Sequence, residues 1–204
     1  MIIATLLYQI CSDDYFSLED VKAEFGDDVR SIIHGLKNVA DLYKKQTTQR
    51  DENFSKLMMA FAENIRVIII MIVDRLALMK AINHHPNQKF VFDIASESLY
   101  LYAPLAHRLG LYKIKSELED MSLKYTNRDL YTQIAHKLNE SKQERDKYIA
   151  EFIAPIKKKL EDDGFKFEIK GRTKSIYSIW NKMRKQNAEL KDIYDLFALS
   201  LIHI

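Results

Sequence analysis

Glycine, proline and cysteine are scarce in this chain, and each scarcity excludes something. Five Gly and three Pro in 204 residues are too few turn formers for a many-stranded β-sandwich or barrel, whose hairpins draw on both. A single cysteine, Cys11, rules out an internal disulfide and fits a reducing compartment. The expected state of that cysteine is a buried, inert thiol. The longest apolar run, Val67 to Val73, falls far short of the ~20 residues that span a bilayer. No basic stretch precedes the apolar opening Met1 to Leu7, which argues against a secretory signal. The expectation is a soluble, cytoplasmic protein without membrane contact.

What is present points to helices. Hydrophobic residues make up 47% of the chain, enough for a sizeable core and against wholesale disorder. Ser17-Leu18-Glu19-Asp20 reads as a helix start, a capping hydroxyl followed by early carboxylates, and Phe25-Gly26 as its stop. A helical pattern resumes over Asp28 to Val39, with Val29, Ile32, Ile33 and Leu36 on one face. Phe54, Leu57, Met58, Phe61, Ile65 and Ile68 extend such spacing, so Glu52 to Met79 reads as long helical structure. Its second half is apolar nearly all round, as in a helix at a domain centre. Pro86, within Ala81 to Asn87, marks a loop. Val91 to His107 is helical, with Pro104 either starting a new segment or kinking this one. Leu111, Ile114, Leu118, Met121 and Tyr125 form another stripe, and Leu138 to Leu160 a last long, charged helix.

At Asp162-Asp163-Gly164 the period changes. Phe165, Phe167 and Ile169 alternate with charged residues, the mark of a strand. Ser175 to Arg184 returns to helix, and Ile193 to Ile204 holds a second strand-like run. The expected architecture is mainly α: a helical region of about 160 residues followed by the start of an α/β unit. A lone pair of strands is marginal, and the chain's apolar opening at Met1 adds to the expectation of a fragment from a longer protein.

Net charge is only +2, but Pro155 to Lys191 holds eleven Lys or Arg against five Asp or Glu. Such an excess suits nucleotide phosphates or RNA; a solvated helix face accounts for it equally well. Inside this stretch, strand, Gly171-Arg172 and helix would set Arg172 and Lys174 at a strand-to-helix junction. First-turn N–H groups attract anions there, and Ser175 or Ser178 can offer hydroxyls. Lys174, Ser178 and Lys182 are spaced by four, hence on one helix face. Two cations and a hydroxyl in line suit a row of phosphates, and the planar Arg172 guanidinium can stack on a base or clamp a phosphate. Ile176, Ile179, Trp180 and Met183 make the opposite, core-facing stripe. Asp195, at the entry to the second apolar run, is placed to hold Mg²⁺ against phosphates, although any aspartate can precede a strand. His84-His85 lacks other ligands nearby, His107 reads as a satisfied structural histidine, and Glu117, Glu119 and Asp120 as a solvated helix face.

Gly171-Arg172-x-Lys174-x3-Ser178-x3-Lys182-Met183 followed by Ile193-Tyr194-Asp195-Leu196 resembles the beginning of the (p)ppGpp synthetase domain of RelA/SpoT proteins. Met71 to Met79, containing Asp74-Arg75-Leu76, is similar to that family's Lys-Leu-Ala-Asp-Arg-Leu-His-Asn-Met, and Leu101 to Leu111 with Ile114-Lys115 and Glu117 to Asp120 adds a further match. The resemblance covers nearly the whole chain. It implies an HD-type hydrolase, which degrades (p)ppGpp with Mn²⁺, followed by linking helices and a nucleotidyltransferase-like synthetase. By resemblance Arg172 stacks on the ATP adenine, Lys174, Ser178 and Lys182 face phosphates, and Asp195 is the catalytic, Mg²⁺-binding carboxylate. The reaction implied is transfer of the β,γ-pyrophosphate of ATP to the 3′-hydroxyl of GTP or GDP.

The hydrolase motif is broken. Tyr8 and Gln9 stand where the family has His-Asp, Ser12 where it has Glu, and Ala77 and Leu78 where it has His-Asn. Asp74 remains as a vestigial ligand, and one carboxylate without imidazoles holds Mn²⁺ poorly. Ser200 also stands where the synthetase usually has Arg. The expected layout is a degenerate, N-terminally incomplete HD domain over 1–85, a central helical region over 86–160, and an incomplete synthetase over 161–204. The fragment itself is expected to be inactive, its parent a GTP pyrophosphokinase of the stringent response. ATP and GTP or GDP are the expected ligands, with ppGpp as a regulator. Ribosome contact is expected only through downstream domains, and no DNA contact is expected. The alternative reading is a non-catalytic alarmone sensor or scaffold.

Overall fold

The structure is a computed structural model and describes residues 1–12, 16–44, 64–140, 142–193 and 196–203. It is mainly helical, and the chain divides into two compact units: Met1–His84 with Tyr100–Ile114, and His85–Leu99 with Lys115–Ile204.

In the first unit α1 (Ile2–Ser12), α2 (Leu18–Phe25), α3 (Asp27–Lys44) and α4 (Ile65–Ala81) surround an aliphatic core. The start of α2 is a complete capping box: Ser17 Oγ accepts from the Asp20 N–H at 3.1 Å, and the Asp20 carboxylate accepts from the Ser17 N–H at 3.1 Å. Gly26, at φ 86°, supplies the positive φ that ends the helix. Ile32, Ile33, Leu36 and Val39 of α3 are buried, as their three- and four-residue spacing requires. Arg66 joins α4 to α3 through a two-pronged pair with Asp28, both contacts at 2.6 Å.

The long helix expected over Glu52 to Met79 begins, as far as it is described, only at Ile65; residues 52–63 lie outside the described residues. Asn64 is extended and its side chain accepts from the Arg66 N–H at 3.1 Å, a capping geometry that starts a helix and cannot continue one. Nor is α4 buried all round: Val67, Ile68, Ile72, Arg75 and Met79 face inward, while Ile65 and Val73 are exposed. The buried Arg75 is held by Tyr102, with its guanidinium 4.2 Å above the ring and its Nη2 donating to the hydroxyl at 3.2 Å.

A 3₁₀ turn (Ile82–His84) follows α4, then α5 (Gln88–Glu97), capped by Asn87. Ser98–Tyr102 widens into a π turn before α6 (Ala103–Arg108). Pro104 lacks the N–H that would bond four residues back, and the wider turn absorbs that gap. Of the two readings of Pro104, a new segment is the observed one.

The second unit contains α5, most of α7 (Tyr112–Thr126), α8 (Arg128–Glu140), α9 (Lys142–Asp162), β1 (Phe167–Thr173), α10 (Ile176–Gln186) and β2 (Phe197–His203). The buried face of α7 is Leu118, Glu119, Ser122 and Leu123, turned from the expected stripe because Glu119 goes inward paired with Lys115 at 2.6 Å. The expected helix over Leu138 to Leu160 is two helices. Leu138 belongs to α8, which the sequence reading missed. At Gly164, φ 75°, the chain leaves α9 with the Phe165 N–H bonded to the Leu160 carbonyl at 3.0 Å. β1 and β2 pair antiparallel from Phe167↔His203 to Thr173↔Phe197. The strand therefore runs on through Gly171, Arg172 and Thr173, because Leu199, Ala198 and Phe197 stand opposite to pair with them. Ile134, Ile179 and Leu190 form a core with Leu130, Leu138, Ile176, Trp180, Met183 and Leu196 packed on it, so the stripe expected of α10 is a core stripe. Among the described residues no helix is long and apolar enough to cross a membrane.

Two measurements check the first unit. A Cβ at Gly35 of α3 would lie 2.8 Å from Val67 Cγ2 of α4, well inside carbon–carbon contact distance, and valine is stiff at χ1. Gly35→Ala gains about 1 kcal/mol of helix propensity against roughly 1–3 kcal/mol of overpacking. A net loss of stability is expected in urea unfolding, and a raised midpoint would show that the helices can move apart freely. Cys11 is fully buried and burial pushes its thiol up, so a thiol reagent should label it in denaturant and scarcely at all in the native protein.

Candidate functional site

Only Lys174 and Ser175 separate β1 from α10. The Lys174 N–H donates to the Leu196 carbonyl at 2.9 Å, which ties this connection to the residue before β2. Ser175 is extended (φ −63°, ψ 151°) and caps α10. Its Oγ accepts from the Ser178 N–H at 3.2 Å and donates to Ser178 Oγ at 2.8 Å. At the far end Asn187 takes the left-handed conformation (φ 49°, ψ 42°), and Arg184 lies over the Trp180 ring at 5.0 Å.

A helix leaves its first N–H groups without partners in its own backbone, and the first turn of α10 contains no acidic residue. The carboxylate comes instead from α7. Asp120 Oδ1 accepts from the Tyr177 N–H at 2.8 Å, and the neighbouring Ile176 N–H also favours the ionised carboxylate. Burial is the strongest influence on Asp120 and pushes its carboxyl up, opposed by those two N–H groups and by the Lys115 charge. Burial and the nearby Asp120 charge push the Tyr131 phenol of α8 up in turn. Asp120 and Glu119 are thus not the solvated face expected of them. No sequence signal joins Asp120 to Tyr177, 57 residues away; a helix end needing a carboxylate and a distant carboxylate needing donors meet only in the fold.

The other expected site residues fall as follows. Ser178 and Lys182 lie one turn apart on α10 and are half-buried. Lys174 is half-buried too, but it precedes the Ser175 cap, so it sits at the junction rather than in line on the helix. Arg172 lies within β1 opposite Ala198, and Ser200 in β2 opposite Lys170. Asp195 lies outside the described residues. Part of the basic excess is matched locally, by Lys159 with Asp163 at 2.9 Å, Lys157 with Glu161 at 3.8 Å and Lys191 with Glu189 at 3.0 Å, which is the solvated-face reading for those lysines.

In the first unit Asp74 is exposed on α4, next to the buried Arg75. Tyr8 is half-buried and Gln9 exposed on α1; Ala77 is exposed and Leu78 half-buried on α4. No group of three His, Cys, Asp or Glu that could hold a metal occurs among the described residues. His84 and His85 serve local structure: the Asn83 amide lies 3.0 Å from His84 Nε2, and His85 Nδ1 accepts from the Asn87 N–H at 3.2 Å. His107 is exposed rather than enclosed, with its ring edge-on to Tyr112 at 5.6 Å.

Comparison with known proteins adds the following. The HD domain family matches residues 1–112. The chain is 36% identical over 202 residues to a guanosine-3′,5′-bis(diphosphate) 3′-pyrophosphohydrolase of Aquifex aeolicus, covering 98% of this chain and 29% of that protein. It is 36% identical over 205 residues to a GTP pyrophosphokinase of Myxococcus xanthus, covering 98% and 27%. With the GTP pyrophosphokinase of Escherichia coli K12 it shares 31% over 206 residues, covering 98% and 28%. The chain therefore spans under a third of the length of these relatives.

Asp120 sets a pH dependence whose sign follows from its raised carboxyl. In the unfolded chain the group ionises near ~3.9, whereas burial in the fold resists ionisation. Its contribution to stability is therefore full below about pH 4 and is lost as pH rises through the folded value. Asp120→Asn removes the titration and keeps an oxygen acceptor for the Tyr177 N–H. The urea midpoint of that variant, relative to the unsubstituted protein, should rise between about pH 4 and pH 7. A relative fall over that window would mean that hydrogen bonding, not burial, governs the group.

Proposed function

From a chain that belongs to the HD domain family and to the RelA/SpoT-type proteins of (p)ppGpp metabolism, we propose the N-terminal part of a (p)ppGpp synthetase whose hydrolase site is lost. The observation that carries this reading is the β1–Lys174–Ser175–α10 junction. It sets Lys174 and a capping serine pair at a strand-to-helix turn, with Lys182 one helical turn beyond Ser178, and a relative that the chain matches along 98% of its length is named a GTP pyrophosphokinase. The proposed layout keeps a degenerate HD domain over 1–85, linking helices over 86–160 and the start of the synthetase over 161–204.

In the proposed reaction the 3′-hydroxyl oxygen of GTP or GDP attacks the β-phosphorus of ATP. A new O–P bond forms, the bond from that phosphorus to the α,β-bridging oxygen breaks, AMP leaves, and the hydroxyl proton passes to a base. Lys174 and Lys182 neutralise phosphate charge, Ser178 donates its remaining hydroxyl hydrogen, and Arg172 stacks on the adenine. Asp195 is the carboxylate suited to Mg²⁺, which would screen the phosphates when bound. For the hydrolase, Mn²⁺ wants imidazole and carboxylate donors together. Tyr8, Gln9, Ala77 and Leu78 supply none, and Asp74 alone does not make a site. Cytoplasmic location, ppGpp as a regulator, and ribosome contact only through segments beyond this chain complete the proposal.

The test is synthesis from ATP and GTP by this chain and by a C-terminally extended form. Product from the longer form alone is expected, reduced at least roughly tenfold by Lys174→Ala or Lys182→Ala. Pyrophosphate release from ppGpp with Mn²⁺ would overturn the loss of hydrolysis. Failure of both forms to make product, with ppGpp binding lost on changes around Asp74, would replace the synthetase by a sensor.

A further inference from the structure

The first turn of α10 is held largely by contacts within the protein. The Ile179 N–H is bonded to the Ser175 carbonyl at 3.1 Å, and the Ser178 N–H to Ser175 Oγ at 3.2 Å. The Tyr177 N–H goes to Asp120 Oδ1 at 2.8 Å. Three of the four first-turn donors are thereby engaged within the protein, and the Asp120 carboxyl stands at the helix end that could have received an external anion.

That closure has a mechanical consequence. Lys174 lies two residues before Ile176, across a connector with no slack, and its own N–H is fixed to Leu196. Ser178 and Lys182 ride on the helix that Asp120 holds. A displacement of the first turn of α10 therefore displaces all three.

We propose that Asp120 is a positioning residue for pyrophosphate transfer. From α7 it seats the first turn of α10 and thereby sets Lys174, Ser178 and Lys182 at the spacing that the phosphates of ATP require. It touches no substrate. The proposal rests on the synthetase reading above, and it makes α7 part of the synthetase site although α7 lies outside the 161–204 segment.

The experiment uses the C-terminally extended form, with ATP varied at saturating GTP, and, in the 204-residue chain, the emission of Trp180, its only tryptophan, which sits in α10 beside Tyr177 at 5.3 Å. Asp120→Ala should raise KM for ATP roughly three- to tenfold and shift the Trp180 emission. Asp120→Asn, which retains an oxygen for the Tyr177 N–H, should recover both. A smaller folded fraction lowers the apparent kcat but leaves KM alone, so the KM change separates positioning from general destabilisation. Should Asp120→Ala fail to fold, Asp120→Glu, which moves the carboxylate by one methylene, should raise KM in the same direction.

The proposal is overturned if KM and emission are unchanged in the Ala variant (or, where that does not fold, in the Glu variant), if KM falls because phosphate takes the vacated N–H group, or if Asn behaves like Ala. An unsubstituted extended form that makes no product sinks the synthetase reading and the positioning role with it. Product made with one KM by all variants sinks the positioning role alone.

Discussion

Every helix must find partners for the N–H groups of its first turn, and at α10 that requirement organises the whole candidate site. Ser175 answers the Ser178 group locally and Asp120 of α7 answers that of Tyr177. Because the connector from β1 is only two residues long, capping α10 also sets the end of the strand and the position of Lys174. The core stripe Ile176, Ile179, Trp180 and Met183 presses the opposite side of α10 toward Ile134 and Leu190. One side is held by hydrophobic burial and the end by the Asp120 carboxyl, which leaves Ser178 and Lys182 half-buried at the edge.

The first unit works differently. Its order comes from aliphatic packing of α3 against α4 and from the buried Arg75, whose charge is answered by the Tyr102 ring and hydroxyl. On that same helix, α4, Asp74 is exposed and Arg75 buried. Ala77 stands where the family motif has its histidine, and Leu78 where it has asparagine. The family has relatives named for hydrolysis and for synthesis, and this chain matches its HD domain over residues 1–112.

Local punctuation was legible. The capping box at Ser17, the stops at Gly26 and Gly164 and the new segment at Pro104 follow from one or two residues each, because turn and cap geometry depends on nearby backbone alone. The first strand was legible from its period and the second from its apolar run. Less visible was α8, whose pattern Leu130, Ile134, Leu138 is thin among polar residues. The continuity expected through Asn64 failed for the opposite reason, since a strong apolar repeat hid one capping side chain. Of the candidate site, Lys174, Ser178 and Lys182 could be named in advance from spacing, but the Ser175 cap that puts Lys174 off the helix could not.

The residues themselves determined the mainly helical class, the change of period at Gly164, the cationic strand-to-helix segment and the broken hydrolase motif, since each depends on residue type and short-range spacing. Only the tertiary structure decided which way the carboxylates of α7 point. Glu119 and Asp120 occupy a helix face whose neighbours arrive from elsewhere in the chain, and whether an aspartate is solvated or caps another helix depends on what packs beside it. The reason is physical: a helix records its own period in sequence, but an unanswered N–H group is answered by whichever acceptor the fold brings within about 3 Å.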